Sequence, residues 1–113
     1  MVNDEVFNGL DGEGPGPVVG KETEDLNLTL LSWPSGHQIA EHVNQEVDVV
    51  SVVLSGSGVV RIGEVENEVR AGSIFIIPKG ASRSLTSTSD DFRYVNIHKR
   101  RRRLMPTMSR DKA

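Results

Sequence analysis

"AGSIFIIPKGA", residues 71–81, decides the fold of this 113-residue chain. Between Gly72 and Pro78 lies a short apolar run, Ile74 to Ile77, too brief for a stable helix and rich in β-branched and aromatic side chains. Pro78 lacks a backbone donor and Gly80 tolerates left-handed dihedrals, so the pair ends a strand. An unbroken apolar run of this length predicts a strand buried on both faces.

The same punctuation recurs on either side. "VDVVSVVL", 47–54, is another apolar run predicted to be buried on both faces, and "SGSG" at 55–58 closes it. "VVRI" turns at Gly63-Glu64 into "VENEVRAG", the alternating return of a hairpin. Upstream, "LNLTLLSW", 26–33, alternates Leu26, Leu28 and Leu30 with polar residues until "PSG" interrupts it. Downstream, "SRSLTS" and "FRYVNIH" complete the set. No window combines a helical period with caps, so the chain reads as all-β, an antiparallel sandwich or closed barrel.

One domain accounts for this length, with a core small enough to gain from a partner. The chain has no cysteine, which excludes disulfides and thiolate ligands and fits a cytoplasmic protein. No apolar run is long enough to cross a bilayer, and "MVNDEVFNGLDGEG" lacks the basic start and apolar core of a signal peptide. The net charge of −3 is unevenly spread. Residues 1–25 hold seven acids against Lys21, and residues 99–113 hold seven bases against Asp111. Glycine and proline crowd residues 1–20, so 1–25 reads as a flexible acidic arm, 26–98 as the barrel and 99–113 as a basic tail.

The glycine and proline frame resembles that of small single-domain cupins, which are antiparallel jelly-roll β-barrels. Their first motif is a glycine, five residues, His-x-His, three or four residues, Glu, six residues and a glycine. Here Gly36 leads to His42, Asn44 stands at the second histidine, and counting back from Gly56 puts Val49 at the glutamate. Their second motif is a glycine, five residues, Pro-x-Gly, two residues, His, three residues and Asn. Gly72, Pro78 and Gly80 match it, while Arg83 replaces the histidine and Ser87 the asparagine. The scaffold positions are kept and only His42 survives of the metal ligands.

A cupin metal site implies iron, manganese, zinc or a similar divalent ion on histidines and a glutamate. His42, Asn44, Val49 and Arg83 offer one good ligand, a weak carbonyl, a hydrocarbon and a cation, so no tightly bound metal is expected. A bulge that turned Asp48 inward would instead assemble His42, Asn44 and Asp48 for a divalent transition metal. His37 lies at opposite strand parity to His42, and His98 lies at a rim, so both read as surface histidines.

The resemblance places His42, Asn44, Val49, Ser51, Val53 and Arg83 on the cavity wall, with Asp48 at its edge and Tyr94, Asn96 and His98 opposite. Arg83 then stands where the metal would be, as a cation for the carboxylate or phosphate of a small acidic metabolite. The competing expectation pairs Arg83 with Asp48, Glu46 or solvent. An enzyme of the isomerase or epimerase kind would use His42 as a base steered by Asp48; a metal-dependent dioxygenase is the remaining alternative.

With Val49, Ser51 and Val53 inward, Val50, Val52 and Leu54 face outward, to be covered by the strand at Leu26 to Trp33 or by a second subunit in a homodimer. "HKRRRR", 98–103, attracts phosphates, yet no aromatic platform interleaves with it, which argues against a nucleic-acid partner.

Overall fold

A computed structural model describes residues 6–100 as nine strands, with no helix among them. In chain order these are β1 (Gly16–Glu22), β2 (Leu26–Trp33), β3 (Gln38–Val43), β4 (Val49–Ser55), β5 (Ser57–Ile62), β6 (Val65–Arg70), β7 (Ile74–Ile77), β8 (Ser82–Ser87) and β9 (Phe92–Lys99). They form a five-stranded sheet, β1-β2-β9-β4-β7, and a four-stranded sheet, β3-β8-β5-β6. Every pairing is antiparallel. The two sheets make the jelly roll, and their facing sides enclose the core.

Period-two alternation decides what the core contains. Val49, Ser51 and Val53 of β4 are almost fully buried, and Phe92 and Tyr94 of β9 lie beside them. Val53, Val60, Val69, Phe92 and Tyr94 pack as one cluster, Val47, Val49 and Ile77 as another. Each buried side chain of this size contributes on the order of 1.5–3 kcal/mol. The hairpin turn falls at Gly63-Glu64, with Ile62 paired to Val65. Gly72 and Gly80 adopt φ of 94° and 88°, the left-handed backbone that the ends of the 71–81 stretch require.

Three expectations are corrected. The 73–78 run is not buried on both faces: β7 is an edge strand, with Phe75 and Ile77 turned in and Ile74 and Ile76 exposed. The 47–54 run likewise leaves Val50 exposed on its outer side. The sequence cannot distinguish the edge of a sheet from its centre when both strands are apolar.

The acidic arm is also more ordered than its composition predicts. Gly16–Glu22 joins the sheet as β1 against β2, with a bulge after Pro17 where the missing N–H is harmless. Buried Arg93 binds the preceding loop, donating through Nη1 to Gly9 O (3.0 Å) and Asp11 O (2.6 Å) and through Nη2 to Gly12 O (2.7 Å). Gly9 lies against Leu54. The loop, rather than β2, therefore covers that part of the outer face; β2 lies in the same sheet, beyond β9. At the other end, Arg100 donates to Thr23 O and approaches Glu22 at 3.8 Å, so the basic run begins beside the acidic segment. Its continuation, 101–113, lies outside the described residues, as do residues 1–5.

The third correction is a bulge in β3. Ile39 pairs with Leu85 and His42 with Arg83, three residues on one strand against two on the other. The extra residue cancels the parity argument that separated His37 from His42. His37 nonetheless does not join His42; it is stacked on Trp33 with ring centroids 3.8 Å apart.

Candidate functional site

A cavity of about 220 Å³ lies between the sheets. Its walls take Val60 and Tyr94 from the larger core cluster and Ile77 from the smaller one. Leu31, Ile39, Phe75 and Leu85 add hydrocarbon; His42, Ser51, Arg83, Ser84 and Asn96 supply the polar groups. No carboxylate is among these lining residues, and Arg83 is their only fixed charge.

β3 and β8 set the polar end. The bulge aims His42 at its partner Arg83, whose Nε donates to His42 Nε2 at 3.0 Å. Arginine has only donors, so Nε2 is the acceptor and Nδ1–H is left to donate to Ala40 O, also at 3.0 Å. His42 is exposed and Arg83 half-buried. On the opposite sheet, Ser51 Oγ donates to Asn96 Oδ1 at 2.5 Å across the β4–β9 pair. Trp33 Nε1 donates to Tyr94 Oη at 3.0 Å. Burial raises the Tyr94 phenol above its ordinary 10.0, against smaller opposing effects of the Trp33 bond and the Arg83 charge.

Of the expected pocket residues, His42, Ser51, Arg83, Tyr94 and Asn96 line this cavity, whereas Val53 packs with Val60, Val69 and Phe92 in the core. Val49 is buried but packs with Val47 and Ile77 instead. Asn44 is turned away. Its Oδ1 accepts from Glu46 N (2.8 Å) and Val47 N (3.4 Å), closing the turn between β3 and β4. Asp48 is exposed and accepts from Lys79 N at 2.8 Å. Backbone N–H groups satisfy both side chains, Asn44 within its own turn and Asp48 across to the turn that follows β7. The His42–Asp48 pair that an epimerase would use is therefore not formed. His98 accompanies Asp48 on a separate surface depression, with Nδ1 on Lys99 O. Ile39 and Ser84 were not expected in the wall. The bulge that brings in Ile39 has no glycine or proline to announce it.

A cupin domain is matched over residues 29–98. The chain belongs to the cupin family. Among solved structures, this cupin is similar to KdgF from Halomonas sp., at 19% identity over 76% of each chain, with a TM-score of 0.69. It is also similar to an uncharacterized conserved protein with a double-stranded β-helix domain from Klebsiella pneumoniae, at 20% identity, covering 86% of this chain and 90% of that one, with a TM-score of 0.73. A third is the SPY1581 protein of unknown function from Streptococcus pyogenes, at 19% identity, covering 91% and 93%, with a TM-score of 0.70. No curated protein matches the chain. At these identities the likeness concerns the fold.

The metal that the family implies does not fit the residues present. His42 Nε2 accepts from Arg83, Asn44 and Asp48 serve backbone turns, and a guanidinium occupies the second-motif ligand position. A cation beside a cation is repelled. Among the described residues, no three His, Asp or Glu side chains gather as a ligand set. No helix among them is long and apolar enough to cross a membrane.

Proposed function

We propose that this cupin binds a small acidic metabolite in the barrel cavity, with Arg83 as its cation and no metal required. The observation that carries the reading is the His42–Arg83 hydrogen bond at the rim of a cavity whose lining has no carboxylate. His42 accepts from Nε and so steadies the plane of the guanidinium, the group that pairs with carboxylates. The hydrocarbon walls exclude water and strengthen that pairing.

Metal content by mass spectrometry, followed by calorimetric titration with a panel of organic acids, tests this. Substoichiometric metal is expected, together with binding of at least one acid that Arg83→Ala weakens about 10- to 100-fold. One tightly held ion per chain, or acid binding indifferent to Arg83, overturns the proposal.

We also infer a homodimer through the outer face of the five-stranded sheet. Val50 and Val52 pair with Ile76 and Ile74 on one side and with Ile97 and Val95 on the other. Exposures of 68% at Ile74 and 60% at Ile76 leave the β7 end of this apolar ladder uncovered by the described residues. A two-fold axis would set it against its own copy.

A further inference from the structure

Tyr94 holds a donor that the fold leaves unused. It is 3% exposed, and its Oη accepts from Trp33 Nε1 at 3.0 Å. A phenol oxygen that accepts a bond still has its own O–H to give. Among the described residues that O–H meets no acceptor, the Trp33 bond being the one hydrogen bond that the Tyr94 side chain makes. Burial pushes the phenol above its ordinary 10.0, so the proton stays on the oxygen throughout the neutral range. Native folds rarely leave a buried donor without a partner, because its lost hydration is not replaced.

Two observations aim this donor at the cavity. Tyr94 lines the wall, whereas Trp33 does not. The phenol also feels the charge of Arg83, which lines the same cavity from the opposite sheet. The phenol oxygen thus has the indole on one side and the cavity on the other.

The chemistry of the wall selects what can take the proton. His42 Nε2, Asn96 Oδ1 and Tyr94 Oη each accept a bond already. A ligand hydroxyl that accepted from Tyr94 would bring a proton of its own into a lining dominated by Leu31, Val60, Phe75, Ile77 and Leu85. A carbonyl oxygen accepts and brings none. For size, a dry cavity of roughly 150 Å³ holds benzene, and this one is about 220 Å³.

We infer that Tyr94 is a ligand-binding residue whose O–H, held in place through Trp33, donates to an uncharged carbonyl oxygen, so that the cavity takes a ketone, ester or amide on a hydrocarbon body of about six or seven carbons. An acid group on the same molecule would be read separately, at Arg83.

The experiment is titration of the full chain at neutral pH with cyclohexanone and cyclohexanol, two uncharged probes of nearly one size. Calorimetry gives the affinities, and nuclear magnetic resonance follows the indole N–H of Trp33, the chain's single tryptophan. Cyclohexanone is expected to bind about 3- to 10-fold more tightly than cyclohexanol. It is also expected to move the Trp33 signal, because an O–H that donates makes its own oxygen a stronger acceptor. Tyr94→Phe should bring the two affinities together. Equal binding of the two probes to the parent chain would mean that Ser51 or Ser84 accepts from the alcohol, and would overturn the inference without need of the variant. A preference for cyclohexanone that survives in Tyr94→Phe would overturn it too, as would absence of binding by both probes at millimolar concentration. Neither probe is charged, so these failures leave the acid reading to its own panel.

Discussion

Arg83 and His42 stand opposite each other across the β3–β8 pair, joined Nε to Nε2 at 3.0 Å. These are two positions at which the cupin pattern has histidines that share a metal ion. Here one side chain is the acceptor and the other the cation, so a direct bond stands in place of a shared ion. If that bond orients the guanidinium, His42→Ala should weaken binding of the organic acid about 3- to 10-fold with little effect on stability, because His42 is exposed. His42→Gln, which offers an amide oxygen as acceptor, should recover most of the affinity. Calorimetry on both variants checks this; equal losses would mean that the imidazole does not position Arg83.

Asn44 occupies the position of the second motif histidine but closes a turn. Asn44→Ala should therefore cost about 1 kcal/mol of stability and leave ligand affinity unchanged. Arg83→Ala should show the reverse pattern. Parallel denaturant unfolding and titration of the two variants separate a turn residue from a pocket residue, and a binding defect in Asn44→Ala would contradict its placement.

Arg93 is buried and gives three hydrogen bonds to the carbonyls of Gly9, Asp11 and Gly12. Its removal should free the loop from the outer face. Arg93→Ala is expected to lose about 1–3 kcal/mol, since water can reach the released carbonyls but cannot hold them in place. Lysine lacks the planar fork that spans three carbonyls, so Arg93→Lys should not restore stability. Hydrogen exchange at residues 9–12, fast in both variants and slow in the parent, is the direct readout.

Tyr94 is the chain's single tyrosine, and its phenol is raised by burial. The folded state keeps the proton after the unfolded chain has lost it. Stability should then fall as pH rises above about 10, with a slope approaching 1.4 kcal/mol per pH unit from this one group. Below that pH both states are protonated and the group contributes no slope. Tyr94→Phe should flatten this alkaline component and cost about 1 kcal/mol near neutrality by leaving Trp33 Nε1 without its acceptor. Urea unfolding of both proteins between pH 8 and pH 11 on the order of half-unit steps measures the difference.

The turn residues made the fold legible in advance. Gly72, Pro78, Gly80 and the Gly63-Glu64 hairpin act through their own backbone geometry, so sequence spacing carries nearly all their information. The count back from Gly56 also placed Val49, Ser51 and Val53 inward, against the alternative of a bulge that turned Asp48 in. The site was harder to read because its residues depend on register across strands. Nothing local distinguishes Asp48 bonded to Lys79 N from Asp48 turned into the barrel. The bulge between Ile39 and His42 shifts every residue before it by one face, and it is visible only against β8. The ordering of the Gly/Pro-rich arm depends on Arg93, some eighty residues away, a contact that composition cannot express.

Neighbouring rows on the outer face run Ile74–Val52–Val95–Leu30 and Ile76–Val50–Ile97–Leu28 across four strands. Leu30 is fully buried, while exposure rises towards β7, where Ile74 and Ile76 are the most open. The uncovered part is thus an edge region continuous with a covered one, the geometry in which a second copy adds most by completing the cover. Ile76→Glu places a charge there without disturbing the interior, since its neighbours Phe75 and Ile77 carry the core contacts. Val52→Glu would strike the same face at a half-buried position and would also destabilise the single chain. Light scattering after size exclusion should give the parent chain at twice its 12.4 kDa and Ile76→Glu at the single mass, with an unchanged circular dichroism spectrum. A monomeric parent would rule the interface out, and a dimeric Ile76→Glu would place it on another face.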